Sequence, residues 1–346
     1  MIAASEGRPA CVGEDGSMEI IFKHRSFTVT GSPDFGATIL ISGRLIRRAE
    51  IKDEEWLADA ALADPSAIIA ALAKSPVRTD VLTFTQKLPI TTPKHPYPFE
   101  WDNVAAINTA RFADWWNGLP QEARKNCRRA ARRGVVVRGV TLTDDLIRAV
   151  MEIYNETPVR QGRPFAHYGK DFATVKREIS TLLDTSEFLG AFFGEELIGF
   201  IKLVRQGEIA SILHIVSKNE HYDKRPANAL VTAAAELCRD KGISFLTYGK
   251  LVYGNKADSS LGEFKRRMGF EKIPMPRYFV PLTLRGRVFT RLKLHRGLIG
   301  LLPPGLLKFL LSFRAWLVQH VWVPSRWIFA PRRTKDDQAT SQPGEC

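Results

Sequence analysis

The order of apolar runs between Glu187 and Pro281 constrains this chain more than any other feature. Glu187–Phe193 is a short apolar run, Gly194-Glu195-Glu196 reads as a turn, Leu197–Val204 is a second run, and Ile209–Val216 follows Gly207. Runs of this length, bounded by glycine turns, predict three antiparallel strands joined by hairpins. The polar stretch Ser217–Pro226 then opens a helix over Ala227–Lys241, with Leu230, Ala234, Leu237 and Cys238 at helical spacing and Gly242 as its stop. Ile243–Tyr248 predicts a strand, Ser259–Met268 a helix and Arg277–Pro281 a last strand. Three strands, helix, strand, helix, strand describes an α+β mixed sheet flanked by helices.

A chain of 346 residues exceeds one ordinary core and predicts two lobes. With 45% hydrophobic and 25% charged residues it is globular rather than disordered. Cys11, Cys127, Cys238 and Cys346 lie far apart with no C-x-x-C pair, which argues against a zinc site or a disulfide framework; no metal is expected. Met1–Ser17 lacks the apolar segment of a signal peptide, and a reducing cytoplasm fits best. The expected division is a disordered tail (1–17), an N-terminal α/β lobe (18–110), a lobe holding the run order above (111–283), a basic apolar appendage (284–330) and a second tail (331–346). Within the N-terminal lobe, Met18–Thr30, Gly36–Ile51 and Thr79–Leu88 predict strands. Asp53–Ala63 and Pro65–Lys74 predict helices capped by Asp53 and Asp64, and Pro89–Pro98 is a break.

The net charge of +13 sits in two segments. Between Gln121 and Arg138 there are seven Lys/Arg and one Glu; from Arg285 to Arg333 there are ten Lys/Arg and no acid. Gln121–Gly134 predicts a helix on which Arg124, Arg128 and Arg132 follow one row and Lys125, Arg129 and Arg133 the next, with Ala123, Cys127, Ala130 and Ala131 as a small apolar face. It reads either as a solvated face over a domain junction or as a surface for the phosphates of RNA, lipid or CoA. The absence of interleaved aromatics speaks against base stacking. Gly305–Trp322 places Lys308, Ser312, Ala315 and Gln319 in one narrow stripe with nearly everything else Leu, Phe, Trp or Val, and its uncharged runs are too short to cross a bilayer. It suits a helix lying in the membrane interface, or a terminal helix docked on the fold.

Asp144–Tyr154 predicts an amphipathic helix, with Leu146, Ile147, Val150 and Ile153 inward and Thr143 or Asp144 near its N-cap. It runs into the densest polar patch of the chain, with Glu156, Arg160, Gln161, Arg163, His167 and Tyr168 in a loop shaped by Pro and Gly. That loop is either a well-bonded lid or a binding element. Tyr248 and Tyr253 flank Gly249-Lys250 just past a predicted strand end, a place for chemistry or for turn packing.

The basic helix leading into Arg133-Gly134-Val135, the stretch Leu261-Gly262-Glu263-Phe264-Lys265 and the following Met268-Gly269-Phe270 add a resemblance. From Trp116 to Pro281 the chain resembles a GNAT-superfamily acyltransferase and is similar to the FemAB-like branch. Proteins of that branch have two GNAT-like lobes and move an aminoacyl group from tRNA to a cell-wall precursor; others in the wider group use acyl-CoA. The resemblance implies a second, smaller GNAT-like lobe at the N-terminus, ahead of the C-terminal amphipathic helix. It also implies an acyltransferase that moves an acetyl or aminoacyl group to an amine acceptor, with acetyl-CoA, another acyl-CoA or aminoacyl-tRNA as donor. It points to Val216, Ser217, Lys224, Arg225, Ala227 and Asn228 as donor-binding residues. Arg160, Gln161, Arg163, His167 and Tyr168 would hold the acceptor. Acyl transfer needs a neutral amine, a stabilised oxyanion and a protonated leaving group. Glu156 is the candidate base, with His214 and His167 as alternatives; Tyr248 and Tyr253 are candidate acids, and Lys265 would neutralise developing negative charge.

One departure stands out. The GNAT pyrophosphate loop follows a Gln/Arg-x-x-Gly-x-Gly/Ala pattern, whereas Lys218–Asn228 contains no glycine. Bare amides at the helix N-terminus, with Pro226 near its first position and Lys224 and Arg225 adding charge, remain available to an anion. The close approach that glycine permits is lost. The expected partners are an amine-bearing acceptor, tRNA through residues 124–133 and an anionic membrane through 298–330, at the inner face of a cytoplasmic membrane. Two other classes stay open: a catalytically silent GNAT-like binding module, and a basic protein that binds RNA or a membrane surface.

Overall fold

The computed structural model describes residues 18–23, 25–29, 38–56, 64–160, 162–253, 259–296 and 312. The chain begins with β1 (Met18–Phe22), β2 (Arg25–Val29), β3 (Thr38–Ser42), β4 (Arg48–Ile51), a 3-10 turn at Glu54–Trp56, α1 (Ser66–Lys74), β5 (Val81–Thr85) and β6 (Phe99–Asn108). It continues through α2 (Phe112–Gly118), α3 (Gln121–Arg132), β7 (Val135–Gly139), α4 (Asp144–Asn155), the short β8 (Val159–Arg160) and β9 (Arg163–Pro164), and α5 (Phe172–Ile179). Then come β10 (Ser186–Phe193), β11 (Glu196–Gln206), β12 (Ile209–Ser217), α6 (Pro226–Asp240), β13 (Phe245–Thr247), α7 (Ser260–Arg267), β14 (Glu271–Pro281) and α8 (Leu284–Arg291). The fold is α+β, a mixed sheet flanked by helices.

The large sheet runs β2-β1-β3-β4-β5-β14-β6-β13-β12-β11-β10-β7, and β8 pairs with β9 in a small hairpin of its own. β10, β11 and β12 form the expected antiparallel meander. The sheet is continuous across position 110, because β5 and β6 flank β14. β6 lies outside the strands read from the sequence, and it inserts between β13 and β14. β14 begins at Glu271 rather than at Arg277. Pro274 and Pro276 interrupt its pattern, but residues 271–276 pair with β6 alone, and pairing with β5 starts only at Arg277. A proline's missing N–H is tolerated where one strand edge is unpaired.

β12 and β13 are parallel and pair over three positions only: Ile209↔Phe245, Ala210↔Leu246 and Ser211↔Thr247. β13 then ends while β12 continues to Ser217, so the two strands part at their C-terminal ends. One face of the sheet is covered by α2, α3 and α6, where Leu230, Val231, Ala234 and Cys238 pack on Ile198, Ile201, Leu203 and Ile212. The other carries α4 and α5, where Ile147, Val150, Ile153 and Val175 meet Leu197, Phe200 and Val216. Register shifts in the β10–β11 and β11–β12 pairs leave Ile198 and Leu213 as the extra residues. Such bulges change which side chains face each layer. The N-terminal strands have their own core under α1, with Ile20, Ile39, Ile68 and Phe84 fully buried. Among the described residues no helix is long and apolar enough to cross a membrane. The helix expected over Gly305–Trp322 lies outside the described residues, apart from position 312.

Candidate active site

The opening between β12 and β13 starts at Ser211 and Thr247, whose hydroxyls are 2.7 Å apart. Past Thr247 the chain stays on β6 for two residues: the Tyr248 N–H donates to the Ala105 carbonyl at 2.9 Å, and the Ala105 N–H to that of Gly249 at 2.8 Å. Asn103 of β6 then fixes the following turn. Its Oδ1 accepts from the N–H groups of Leu251 and Val252 at 2.9 and 3.0 Å, and its Nδ2 donates to the Val252 carbonyl at 3.0 Å. Asp102 accepts from Lys250 Nζ at 2.5 Å and Arg277 Nε at 3.0 Å, and Arg277 also donates to Glu54 at 2.7 Å. A strand not read from the sequence therefore holds the loop that was read as chemical.

Lys265 reaches this loop from α7, whose first turn is capped by Ser259 Oγ accepting the Gly262 N–H at 3.0 Å. The lysine is fully buried. Its Nζ donates to the carbonyls of Tyr248 at 2.5 Å and Lys250 at 2.8 Å, and lies 4.2 Å from the centre of the Tyr248 ring and 5.3 Å from that of Tyr253. Burial lowers its pKa to about 8 against the opposing charge of Glu55. Burial, with a smaller contribution from Tyr253, pushes the Tyr248 phenol up to about 12. The Tyr253 hydroxyl accepts from the Lys250 N–H at 3.2 Å, and burial raises its pKa as well. Tyr248, Tyr253 and Lys265 thus form one group, as catalysis by them requires.

A fourth member comes from a place that sequence reasoning left unmarked. Glu55, in the 3-10 turn, accepts the Gly249 N–H. Glu55 is exposed as a residue, but partial desolvation of its carboxyl raises the pKa against Lys265, the Gly249 N–H and Lys87, which lower it, while the Glu54 charge adds to the rise. Gly249 has φ +52°, and a Cβ built there would stand 2.6 Å from the Tyr253 hydroxyl, 3.6 Å from Glu55 Oε1 and 3.8 Å from Lys265 Nζ. A phenol, a carboxylate and an ammonium therefore converge on the space left by one absent side chain. Beside them lies an open cavity of about 660 Å³, solvent at its mouth included, lined by the charged Glu55, Lys87, Lys250 and Arg277 and by the apolar Leu88, Val104, Ile209 and Met275.

Glu156 lies elsewhere. Its carboxylate accepts the N–H groups of Asn219 and Glu220, both at 2.7 Å, and Arg160 Nη2 at 3.2 Å. Arg160 in turn donates to the carbonyls of Ser217 and Ile153, and stacks 4.3 Å over Phe165. Together they tie the end of α4 to the loop after β12. Among the described residues the four candidate catalytic side chains fall into two groups, with Glu156 apart from the other three. His167 stacks on Tyr154 at 4.7 Å, and the Tyr154 hydroxyl hydrogen-bonds His214 Nε2 at 2.8 Å. Burial, then His167, Lys170 and Lys202, bring His214 down to about 3, so its ring is neutral. Arg163 and Tyr168 are exposed, and Gln161 lies outside the described residues.

Around the expected donor loop, Val216 is buried against α4 and α5, and the Ser217 carbonyl is taken by Arg160. The N–H of Lys224 bonds His221, that of Arg225 bonds Tyr222 and that of Asn228 bonds Arg225, so three of the expected amides are used within the loop. Ala227 keeps an N–H in the first turn of α6, where the helix supplies no partner. Arg225 adopts φ 59°, ψ 45°, so a left-handed turn forms here without glycine. The Asn228 side chain bonds Met268 Sδ, and Lys224 pairs with Asp223, which Arg133 at the end of α3 also holds at 2.7 Å. Arg124, Lys125, Arg128, Arg129 and Arg132 of α3 have no carboxylate within ion-pair distance among the described residues.

With this geometry in hand, comparison with solved structures is informative. FemX superimposes with a TM-score of 0.50 at 13% identity, covering 81% of this chain and 88% of FemX. The chain has the fold of FemX. L-PGS from Bacillus licheniformis gives a TM-score of 0.46 at 13% identity, over 74% of this chain and 84% of that one. A tandem GNAT protein from the clavulanic acid biosynthesis pathway gives a TM-score of 0.37 at 13% identity, over 71% of this chain and 79% of that one. The FemAB-like resemblance drawn from the sequence is met, at the level of the fold, by FemX. No protein-family model and no curated protein matches the sequence.

Proposed function

We propose that this protein is an acyltransferase that moves an acyl group to an amine. The observation that supports it best is the parting of β12 and β13 after Ser211 and Thr247, with Tyr248, Tyr253 and Lys265 gathered at the open end. An ammonium carries three N–H donors. Two of those on Lys265 are committed to backbone carbonyls, which aims the third. A fixed positive donor in a buried place stabilises a tetrahedral oxyanion without reorganisation at the moment of reaction. The tyrosine phenols, held protonated by burial, can supply the leaving group with a proton.

For the donor, aminoacyl-tRNA is favoured. The loop amides that would cradle a CoA pyrophosphate are largely used internally, whereas α3 offers five cations without carboxylate partners among the described residues. Acyl-CoA is the second reading, supported by the left-handed turn at Arg225 and the Ala227 N–H at the start of α6. Thermal shift with acetyl-CoA, CoA and charged tRNA tests these, since saturation at one hundred times Kd adds roughly 2.7 kcal/mol of stability. Transfer of a labelled acyl group to a panel of primary amines completes the test, with Lys265→Met expected to abolish product. If no donor moves the midpoint and no amide forms, the acyltransferase reading is lost. The basic apolar segment 298–330 supports attachment to an anionic membrane surface, which co-sedimentation with vesicles of the whole chain and of a chain lacking that segment checks.

A further inference from the structure

We infer that Glu55 is the catalytic residue that takes the proton from the acceptor amine. The inference rests on the acyl-transfer reading and assigns its base to a residue outside both the polar loop and the strands that part. Three observations carry it. Glu55 lines the cavity together with Leu88, Val104, Ile209 and Met275, apolar side chains that suit the aliphatic stem of an amine. Its Oε1 comes within 3.6 Å of the same point that Lys265 Nζ approaches to 3.8 Å, so base and oxyanion stabiliser address one reacting centre. The other candidate bases are otherwise engaged: Glu156 accepts two backbone amides and Arg160, and His214 is bonded to Tyr154 beneath His167.

The charged and titratable groups facing Glu55 are Glu54 on its own turn, Lys87 beyond β5, Tyr253 in the loop after β13 and Lys265 on α7. Glu55 is exposed as a residue, and partial desolvation of its carboxyl beside the loop after β13 sets its pKa above the ordinary carboxylate value, the direction that suits a base. The step balances as follows. The substrate ammonium gives one proton to the Glu55 carboxylate, and the freed lone pair attacks the acyl carbon. A C–N bond forms and the carbonyl electrons move to oxygen, which faces Lys265. As the oxyanion collapses, the bond from the acyl carbon to the donor's sulfur or oxygen breaks. A second proton leaves the nitrogen for that departing atom. The amide is released, and Glu55 returns its proton to water.

Glu55→Gln in the full chain tests the assignment, with n-butylamine as acceptor probe and acetyl-CoA and charged tRNA as donors. Two measurements are made: butylamide formation against pH, and the 13C resonance of the Glu55 carboxyl during titration with butylammonium. The expected result is a saturable shift of that resonance, a loss of about 100-fold or more in kcat/KM for Glu55→Gln, and disappearance of the acidic limb of the pH profile. Glu55→Asp, which keeps a carboxylate, should recover part of the rate and restore the limb. Equal rates and the same acidic limb in wild type and Glu55→Gln would overturn the role of Glu55 while leaving acyl transfer standing. Absence of butylamide from every donor in the wild type would overturn acyl transfer itself, and the role of Glu55 with it.

Discussion

Glu55 and Lys265 meet across Gly249: Oε1 and Nζ lie 3.6 and 3.8 Å from the point where a Cβ on that glycine would stand. Each affects the other's titration, the lysine lowering the carboxyl pKa and the carboxylate raising that of the lysine, while burial works the opposite way on both. The pair is therefore held in a balance that depends on the open space between them.

Filling that space is the first test. Gly249→Ala places a methyl 2.6 Å from the Tyr253 hydroxyl at a backbone angle of φ +52°. The conformational cost alone is about 1–2 kcal/mol. Gly242→Ala is the control, because Gly242 has φ +66° and nothing within 4 Å of an added Cβ. Both variants should lower the melting midpoint by similar amounts, and only Gly249→Ala should lose transfer activity. Equal transfer activity in the two would remove Gly249 from the site.

A pH profile is the second. Glu55 must be ionised to accept a proton, so transfer should rise through its pKa, above the ordinary carboxylate range. Lys265 must be charged to stabilise an oxyanion, so transfer should fall again near pH 8. The contributions to stability run the other way. Between its unfolded and folded pKa values Glu55 binds its proton more tightly in the folded state, so its contribution weakens as pH rises through that interval. Lys265 binds its proton less tightly when folded, so stability is recovered as pH rises from about 8 toward 10.5. Lys265→Met, which should leave no product, should also remove this gain in stability. Melting midpoints and rates measured over the same pH series check the signs.

The third concerns Glu156. Glu156→Ala would leave the N–H groups of Asn219 and Glu220 and one Arg160 contact without their acceptor. A hydrogen bond to a charged group contributes about 1.5–3 kcal/mol, less at the exposed Asn219 and Glu220, where water can replace the lost acceptor. The variant should therefore melt earlier while the folded fraction keeps its turnover. A full-size midpoint with abolished turnover would return Glu156 to the role of base.

Glu156 and Glu55 show where the sequence was legible and where it was not. The meander β10–β12 and helix α6 are built from local pairings and local periodicity, and their ends fall within a few residues of the apolar runs. β6 follows a proline-rich stretch and carries Glu100, Asp102 and Asn103 among its apolar residues, so nothing in its pattern marked it as the strand that supports the site. β14 was shortened in the reading by its own prolines. A carboxylate in a polar loop looks the same whether it faces a substrate or two backbone amides, and Glu156 faces the amides. Glu55 gains its character from Gly249, Tyr253 and Lys265, contacts that only the folded sheet brings together. The absent glycine in the donor loop was legible, but the left-handed turn made by Arg225 in its place was not.

The last prediction separates the two donors. Arg128 and Arg132 are exposed on α3 and have no carboxylate partner among the described residues, so they are open to phosphates. If aminoacyl-tRNA is the donor, Arg128→Ala with Arg132→Ala should weaken its binding and flatten its salt dependence. Each lost phosphate contact should reduce the slope of log K against log salt by about 0.7–0.9. Any midpoint shift produced by acetyl-CoA should be unchanged, because a CoA pyrophosphate would sit at the start of α6, near Arg225 and Ala227. The reverse pattern, with tRNA binding indifferent to the double variant and Arg225→Ala abolishing the acetyl-CoA shift, would make acyl-CoA the donor. Folding should not confuse the result. Ala123, Cys127 and Ala130 are the residues by which α3 packs, and none of them is altered. Exposed arginines on a helix contribute little to stability, so the Arg128→Ala/Arg132→Ala double variant should melt within about 0.5 kcal/mol of the wild type.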